Sequence, residues 1–414
     1  ATLYFFMQYQ YHTLSNGIRI VHRPSESLVG HLVVMINTGT RDEDPGEEGL
    51  AHFIEHVIFK GTHTRKLHQV LGHLENIGAD LNAYTTKEET CLHASFLNDH
   101  YPRAIAFFAD ILFNSTFPEK EIEKEKDVVL DEINSYKDSP AELIFDEFEE
   151  MLFKGHPLGR SILGTPATVR KISRSKILSF ISGHYHTDQI VISSVGNLPF
   201  KRLIKLVTAA FGSAGFNPRT SPREIFKPRL PEQVVQPRRV FQTHCILGNY
   251  AYGYGHRNRT ALALLNNLLG GPAMNSRLSM ALRERNGLSY NVESVYTPYA
   301  ETGSFMVYLG IDNGSADRAL DLVYKEFGKL MDKNLGVLQL HTAKQQFTGQ
   351  LAISFDSNLN DALSMAKSIL VYNTVDTHEV LIRKIDALTA AEIREVANEV
   401  FSLSNMSMLI YKKR

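Results

Sequence analysis

The stretch "GLAHFIEHVIFK", residues 49–60, sets His52, Glu55 and His56 among small and apolar neighbours. In a helix these three fall at i, i+3 and i+4 and share one face. Two imidazoles four residues apart can direct ring nitrogens at one cation, and neutral imidazole suits zinc. Glu55, one turn from His52, need not be a ligand, since it can instead take a proton from a water activated by the metal. The order H-x-x-E-H is a zinc-protease signature, the reverse of H-E-x-x-H. So short a pattern also arises by chance, and taken alone it is equally compatible with a solvated helix face.

A catalytic zinc keeps three protein ligands and one open position, so another element has to supply a carboxylate or an imidazole. The stretch "EKEIEKEKDVVLDEINSYKD" is the best source. Glu125 and Glu132 are two helical turns apart and lie on one face, with Val128 and Val129 beside them. One can bind zinc while the other orients a histidine. Glu121, Glu123 and Asp127 read as surface solvation, and spacing alone does not choose ligands among these acids. His63, His68 and His73 do not stack on one helix face and read as surface histidines.

The elements that must position these residues follow from periodicity. Two β-rich runs, "GIRIVHR" (17–23) and "HLVVMIN" (31–37), lead into a helix from about Glu47. A second helix is expected over Leu67–Ile77, then a strand pair across "ADLNAYTTKEETCLHASF" that turns near Lys87. Longer helices follow at Tyr101–Leu112 and Pro118–Tyr136, the second with proline in its first turn. The strand "QIVISSVGNL" closes this half. Residues 213–237 carry five prolines without apolar periodicity and read as a linker between domains at 7–212 and 238–414. The second half repeats the order: a β-rich "RRVFQTHCILG", a helical "RTALALLNNLLGG", then strands "LSYNVESV" and "GSFMVYLG". Where the first half has H-x-x-E-H, the second has Leu and Asn. This suggests an internal duplication in which only the first copy can hold the site.

Composition removes several function classes. The 414 residues are 43% hydrophobic with a net charge of -1, which gives no field to attract nucleic acid or an anionic membrane. Cys91 and Cys245 show no C-x-x-C spacing, so neither a disulfide framework nor a cysteine zinc site is implied, and a reducing compartment fits. No apolar run long enough for a membrane span and no secretory layout are present, so a cytoplasmic location is expected. The opening "ATLYFF" ahead of Met7 reads as an appended cleavage linker, the alternative being a processed targeting segment, and is left out of the fold reading. "LGGP" at 269–272 is no phosphate loop, and no G-x-S-x-G elbow occurs.

On these residues the chain resembles the M16 metallopeptidases, the family of pitrilysin, insulin-degrading enzyme and the mitochondrial processing peptidase. In that family H-x-x-E-H is followed well downstream by a glutamate ligand, which another glutamate precedes by two helical turns. The resemblance implies that His52, His56 and Glu132 bind one Zn2+ per chain, that Glu55 is the general base, and that Glu125 supports the ligands. It runs from "NTGTRDEDPGEEGLAHFIEHVIFKGT" through "GADLNAYTTKEET", "GHPLGRSILGT" and "SVGN" to "NSRLSMALRERNGLSYNVES". The implied fold is α+β: two tandem homologous α/β-roll domains, each a mainly antiparallel sheet packed with helices.

"LNAYT" would be an edge strand to which an extended substrate pairs, with Asn82 and Ala83 as contacts; simple strand packing accounts for Ala83 equally well. Arg283 and Tyr290 match an Arg and a Tyr that the family brings to the substrate near the metal. The chain's size resembles the short subfamily, whose members pair into a clamshell chamber. The implied protein is a homodimeric zinc endopeptidase for unfolded peptides or short polypeptides, with Arg283 and Tyr290 reaching the other subunit's zinc site. The alternative is a non-catalytic M16-like scaffold or peptide-binding subunit of a larger processing complex.

Overall fold

The computed structural model describes residues 9–414; residues 1–8, and with them the linker reading of "ATLYFF", lie outside the described residues. The chain gathers into two compact units. The first takes the chain up to Asn134 together with 160–223 and 353–377, and the second takes 135–159, 224–352 and 378–414.

The sheet of the first unit is built from β1 (Gln10–Thr13), β2 (Arg19–Pro24), β3 (Val29–Ile36), β4 (Asp80–Thr85), β5 (Thr90–Leu97) and β6 (Ile190–Gly196). Its order is β1-β2-β6-β3-β5-β4, antiparallel except for the β2–β6 pair. The uninterrupted apolar run in β3 marks a strand buried on both faces. Leu32, Val34 and Ile36 enter the larger core, while Val33 and Met35 point into a smaller one behind the sheet.

The larger core is closed by α1 (Leu50–Val57), α2 (Leu67–Glu75), α3 (Tyr101–Asn114) and α4 (Glu119–Lys137). The smaller is closed by the helix Asn358–Tyr372, whose Ala362, Met365, Ala366 and Ile369 form an i, i+3, i+4, i+7 stripe. Polar contacts pin that helix: Arg23 pairs with Asp361, Lys367 pairs with Glu89, and Arg19 donates to the Ile369 carbonyl at 2.9 Å.

The second unit contains α5 (Pro140–Leu152), β7 (Gln233–Arg238), β8 (Thr243–Tyr252), β9 (Ser289–Pro298), β10 (Thr302–Ile311) and β11 (Ser407–Lys413). The sheet order is β7-β11-β8-β10-β9, with β7 and β11 parallel and the other neighbours antiparallel. Without β1, the first sheet has this same order and its one parallel pair in the same place. The helix Arg259–Gly270 holds the position between β8 and β9 that α1 holds between β3 and β4. Two copies of one α/β design therefore stand in tandem. Ile144, Phe148 and Leu152 of α5 cover one face of the second sheet.

Several elements depart from the sequence reading. The helix expected from about Glu47 starts at Leu50, because Gly49 is left-handed at φ 91° and cannot be a helical residue. The linker at 213–237 ends in β7, which pairs with β11 along its length. α5 and the helices Arg174–His184 and Phe200–Phe211 have no counterpart in that reading. Each unit also takes a helix from the other half of the chain, so one cut at 213–237 does not separate them. Cys91 and Cys245 are buried free thiols. No helix among the described residues is long and apolar enough to cross a membrane.

Burial in the first sheet has a consequence at low pH. His22 is fully buried beside Ser194, and that burial lowers its pKa from 6.5 to about 4. Its neutral form is the folded form, so the stability it permits is intact above the unfolded pKa and is lost as pH falls toward the folded value. Between about pH 7.5 and about pH 5 wild type should lose about 2 kcal/mol more unfolding free energy than His22→Asn, as read by urea denaturation. Equal losses in the two proteins would refute this assignment.

Candidate metal centre

α1 carries His52, Glu55 and His56 on one side, while Leu50, Phe53, Ile54 and Val57 go into the core. Its start is held by backbone geometry. A side chain at Gly49 would meet the Leu163 carbonyl at 2.6 Å, and one at Gly164 would meet the Glu48 carbonyl at 2.2 Å, so both positions require glycine. No side chain at position 49 can cap the helix. The buried Glu43 carboxylate does so instead, accepting the Gly49 N–H at 3.1 Å and the Ala51 N–H at 2.8 Å.

α4 buries Ile122, Glu125, Val129 and Ile133. Glu125 thus sits in an apolar stripe, where an unpaired carboxylate would be costly. One of its oxygens accepts from His56 Nδ1 at 3.0 Å, and the other lies 2.8 Å from Lys60 Nζ. Val129 is fully buried, whereas Val128, expected beside the acids, is 50% exposed and faces outward.

The two imidazoles meet edge to face with their Nε2 atoms 3.2 Å apart. Glu132 Oε2 lies 3.5 Å from His56 Nε2 and 3.8 Å from His52 Nε2. The three donor atoms fall within 4.8 Å of one another. Two nitrogens bound at about 2.1 Å to one tetrahedral ion would stand about 3.4 Å apart, so the triangle fits zinc with its fourth corner open. Burial, with His56 adding to it, lowers the His52 pKa to about 4 and keeps that ring in the neutral, ligating form.

His52 Nδ1 is buried without a hydrogen-bond partner among the described residues, so packing and the His56 ring orient it. Glu55 lies beside these groups on α1 without belonging to the triangle. Burial raises its carboxyl above the ordinary range, with Glu132 adding to the rise and Thr85 and His56 opposing it. A carboxylate so placed is a stronger base than one in water.

Among the described residues β4 is the free edge of its sheet, paired only with β5, and it lies beside α1. Asn82 is exposed on this edge, while Ala83 packs partly against the larger core. In the second unit Arg283 lies on a π-helical turn (Ser279–Glu284) and pairs with Glu284 at 2.9 Å, and Tyr290 is 75% exposed on β9. Both border one depression with Asn266 and Asn267. Of the outlying histidines, His63 and His68 are exposed, whereas His73 is half-buried and stacks on Phe107.

Three contributors are missing from the sequence reading: Glu43, Lys60 and Thr85. Lys60 had a signal, since it follows His56 by the same four residues that separate the two histidines. Glu43 had none, because its partners are backbone groups across a turn.

Models of two domain families match the chain: "Insulinase (Peptidase family M16)" over residues 21–166 and "Peptidase M16 inactive domain" over residues 171–347. The chain is 32% identical to an uncharacterised zinc protease, YmxG, of Bacillus subtilis, covering 94% of this chain and 95% of that protein. It is also 32% identical to an uncharacterised zinc protease of Rickettsia bellii, over 96% of each. A crystal structure of a protease from Helicobacter pylori superposes with a TM-score of 0.93 at 21% identity, covering 99% of this chain and all of that one. At that identity the likeness concerns the fold.

The cap on α1 can be tested apart from chemistry. Glu43→Ala leaves two buried N–H groups without an acceptor and should lower the unfolding free energy by about 2 kcal/mol in urea melts of metal-free protein. A loss below about 0.5 kcal/mol would show that α1 is held by other contacts.

Proposed function

The chain belongs to peptidase family M16, and from that premise we propose that it is a zinc-dependent endopeptidase for unfolded peptides or short polypeptides. The observation that carries this reading is the convergence of His52 Nε2, His56 Nε2 and Glu132 Oε2 within 4.8 Å, with Glu55 alongside. These three residues would hold one zinc ion per chain, whose Lewis acidity favours ionisation of a water and polarises the peptide carbonyl. Glu55 accepts the proton released as the water oxygen bonds to the carbonyl carbon. It then returns the proton to the amide nitrogen as the C–N bond breaks. Glu125 keeps His56 oriented through Nδ1.

The free edge of β4 suits an extended peptide, which would pair its backbone beside α1 and be held past Asn82 and Ala83. A folded domain cannot offer such a strand. Arg283 and Tyr290 would hydrogen-bond the substrate carbonyl as negative charge develops on it, supplied by the other subunit of a homodimeric clamshell. The exposure of Tyr290 leaves its phenol available for that role. Two buried free thiols suit a reducing compartment such as the cytoplasm. A scaffold role has less support, since such a chain has no need of a base beside a complete ligand set.

With a quenched-fluorescent unstructured peptide, Glu55→Gln should lower kcat by about a hundred- to ten-thousand-fold while zinc content stays at one per chain. Zinc-loaded wild type inactive on every unstructured peptide, or a variant as active as wild type, would sink the peptidase reading. For the shared site, mixing Glu55→Gln with Arg283→Ala subunits should restore activity, because one of the two sites in each mixed dimer is then intact. No recovery after verified subunit exchange would count against contribution from the second subunit.

A further inference from the structure

We infer that Lys60 is a positioning residue for the metal-facing nitrogen of His56, acting through Glu125; the inference rests on the zinc reading above. Glu125 is 8% exposed in the apolar stripe of α4, and its two oxygens face different partners. Oε1 takes the Nδ1 side of His56 at 3.0 Å, and Oε2 takes the Lys60 ammonium at 2.8 Å. A carboxylate held at one oxygen only can rotate about its last torsion, a broad and soft one. Held at both, it has one orientation. That orientation places the acceptor on Nδ1–H, leaving the lone pair of His56 on Nε2, the atom 3.2 Å from His52 Nε2.

The backbone around Lys60 is fixed for this task. Its N–H donates to the Val57 carbonyl at 3.1 Å, directly after α1. Ser115 Oγ donates to the Ile58 carbonyl at 2.8 Å. The loop that follows is tied to Asp110, which accepts from Thr62 Oγ1 at 2.7 Å and pairs with Arg65. The ammonium therefore reaches Glu125 from a rigid base. A neutral side chain here would leave a buried carboxylate facing one imidazole, which favours withdrawal of Glu125 toward water and release of the ring.

The test is zinc affinity, measured by competition with a chromogenic chelator, together with thermal unfolding of the metal-free proteins. Lys60→Met should raise the zinc Kd about tenfold or more, the range typical of partners that orient a ligand, and Lys60→Arg should stay within about threefold of wild type. In a Glu125→Gln background, Lys60→Met should change the Kd by less than about twofold, because the route to His56 is already cut. A wild-type Kd in Lys60→Met, or losses that multiply in the double variant, would overturn the inference. Should Lys60→Met unfold, Lys60→Gln replaces it in the same cycle. Wild type that binds no zinc would remove the zinc reading and this inference together, whereas normal wild-type binding with a neutral Lys60→Met removes the inference alone.

Discussion

Two imidazoles on one short helix do not meet nitrogen to nitrogen unless the helix and at least one ring are held from behind. In this protein His52 and His56 stand with Nε2 atoms 3.2 Å apart, and the restraint is applied at three points. Glu43 and the Gly49–Gly164 approach fix the start of α1. Glu125 grips the far side of His56, and Lys60 grips Glu125. All of these contacts are within the protein, and together they orient the donor triangle of His52, His56 and Glu132.

The same helix–strand unit occurs twice, and its two copies differ in what they present. In the first, polar side chains occupy one side of α1 next to a free edge, β4. In the second, the helix Arg259–Gly270 buries Leu262, Leu265 and Leu269 and offers asparagines, next to the free edge β9. A sheet edge is an aggregation risk in most proteins, and here β4 and β9 end their sheets without a further strand among the described residues. That arrangement is understandable where an edge serves as a template for an extended chain.

Much of the site was legible because its determinants are local or nearly so. His52, Glu55 and His56 share a face through helical spacing alone, and the turn near Lys87 sets β4 and β5 in register without long-range information. Spacing made Glu125 and Glu132 legible only as a pair, and the resemblance alone assigned them different roles; the structure puts Glu125 at a core position and leaves Glu132 half-exposed. What spacing could not disclose were choices among distant partners. The stripe Ala362, Met365, Ala366 and Ile369 announces a helix, yet nothing local says that it covers the sheet of the first unit. β7 has too short a run, broken by Pro237, to be read as a strand, and only β11 makes it one. Val128 was placed beside the acids by position in the sequence, and its exposure shows that the buried side of α4 runs through Val129 instead.

The central claim is that three side chains already arranged on α1 and α4 constitute one zinc site. X-ray diffraction from zinc-loaded crystals, recorded on both sides of the zinc absorption edge, addresses it without reference to activity. The account predicts a single strong anomalous peak per chain, about 2.1 Å from His52 Nε2, His56 Nε2 and a Glu132 oxygen. A peak bound by Glu125 in place of Glu132, or no peak at these residues with zinc present in excess, would contradict it.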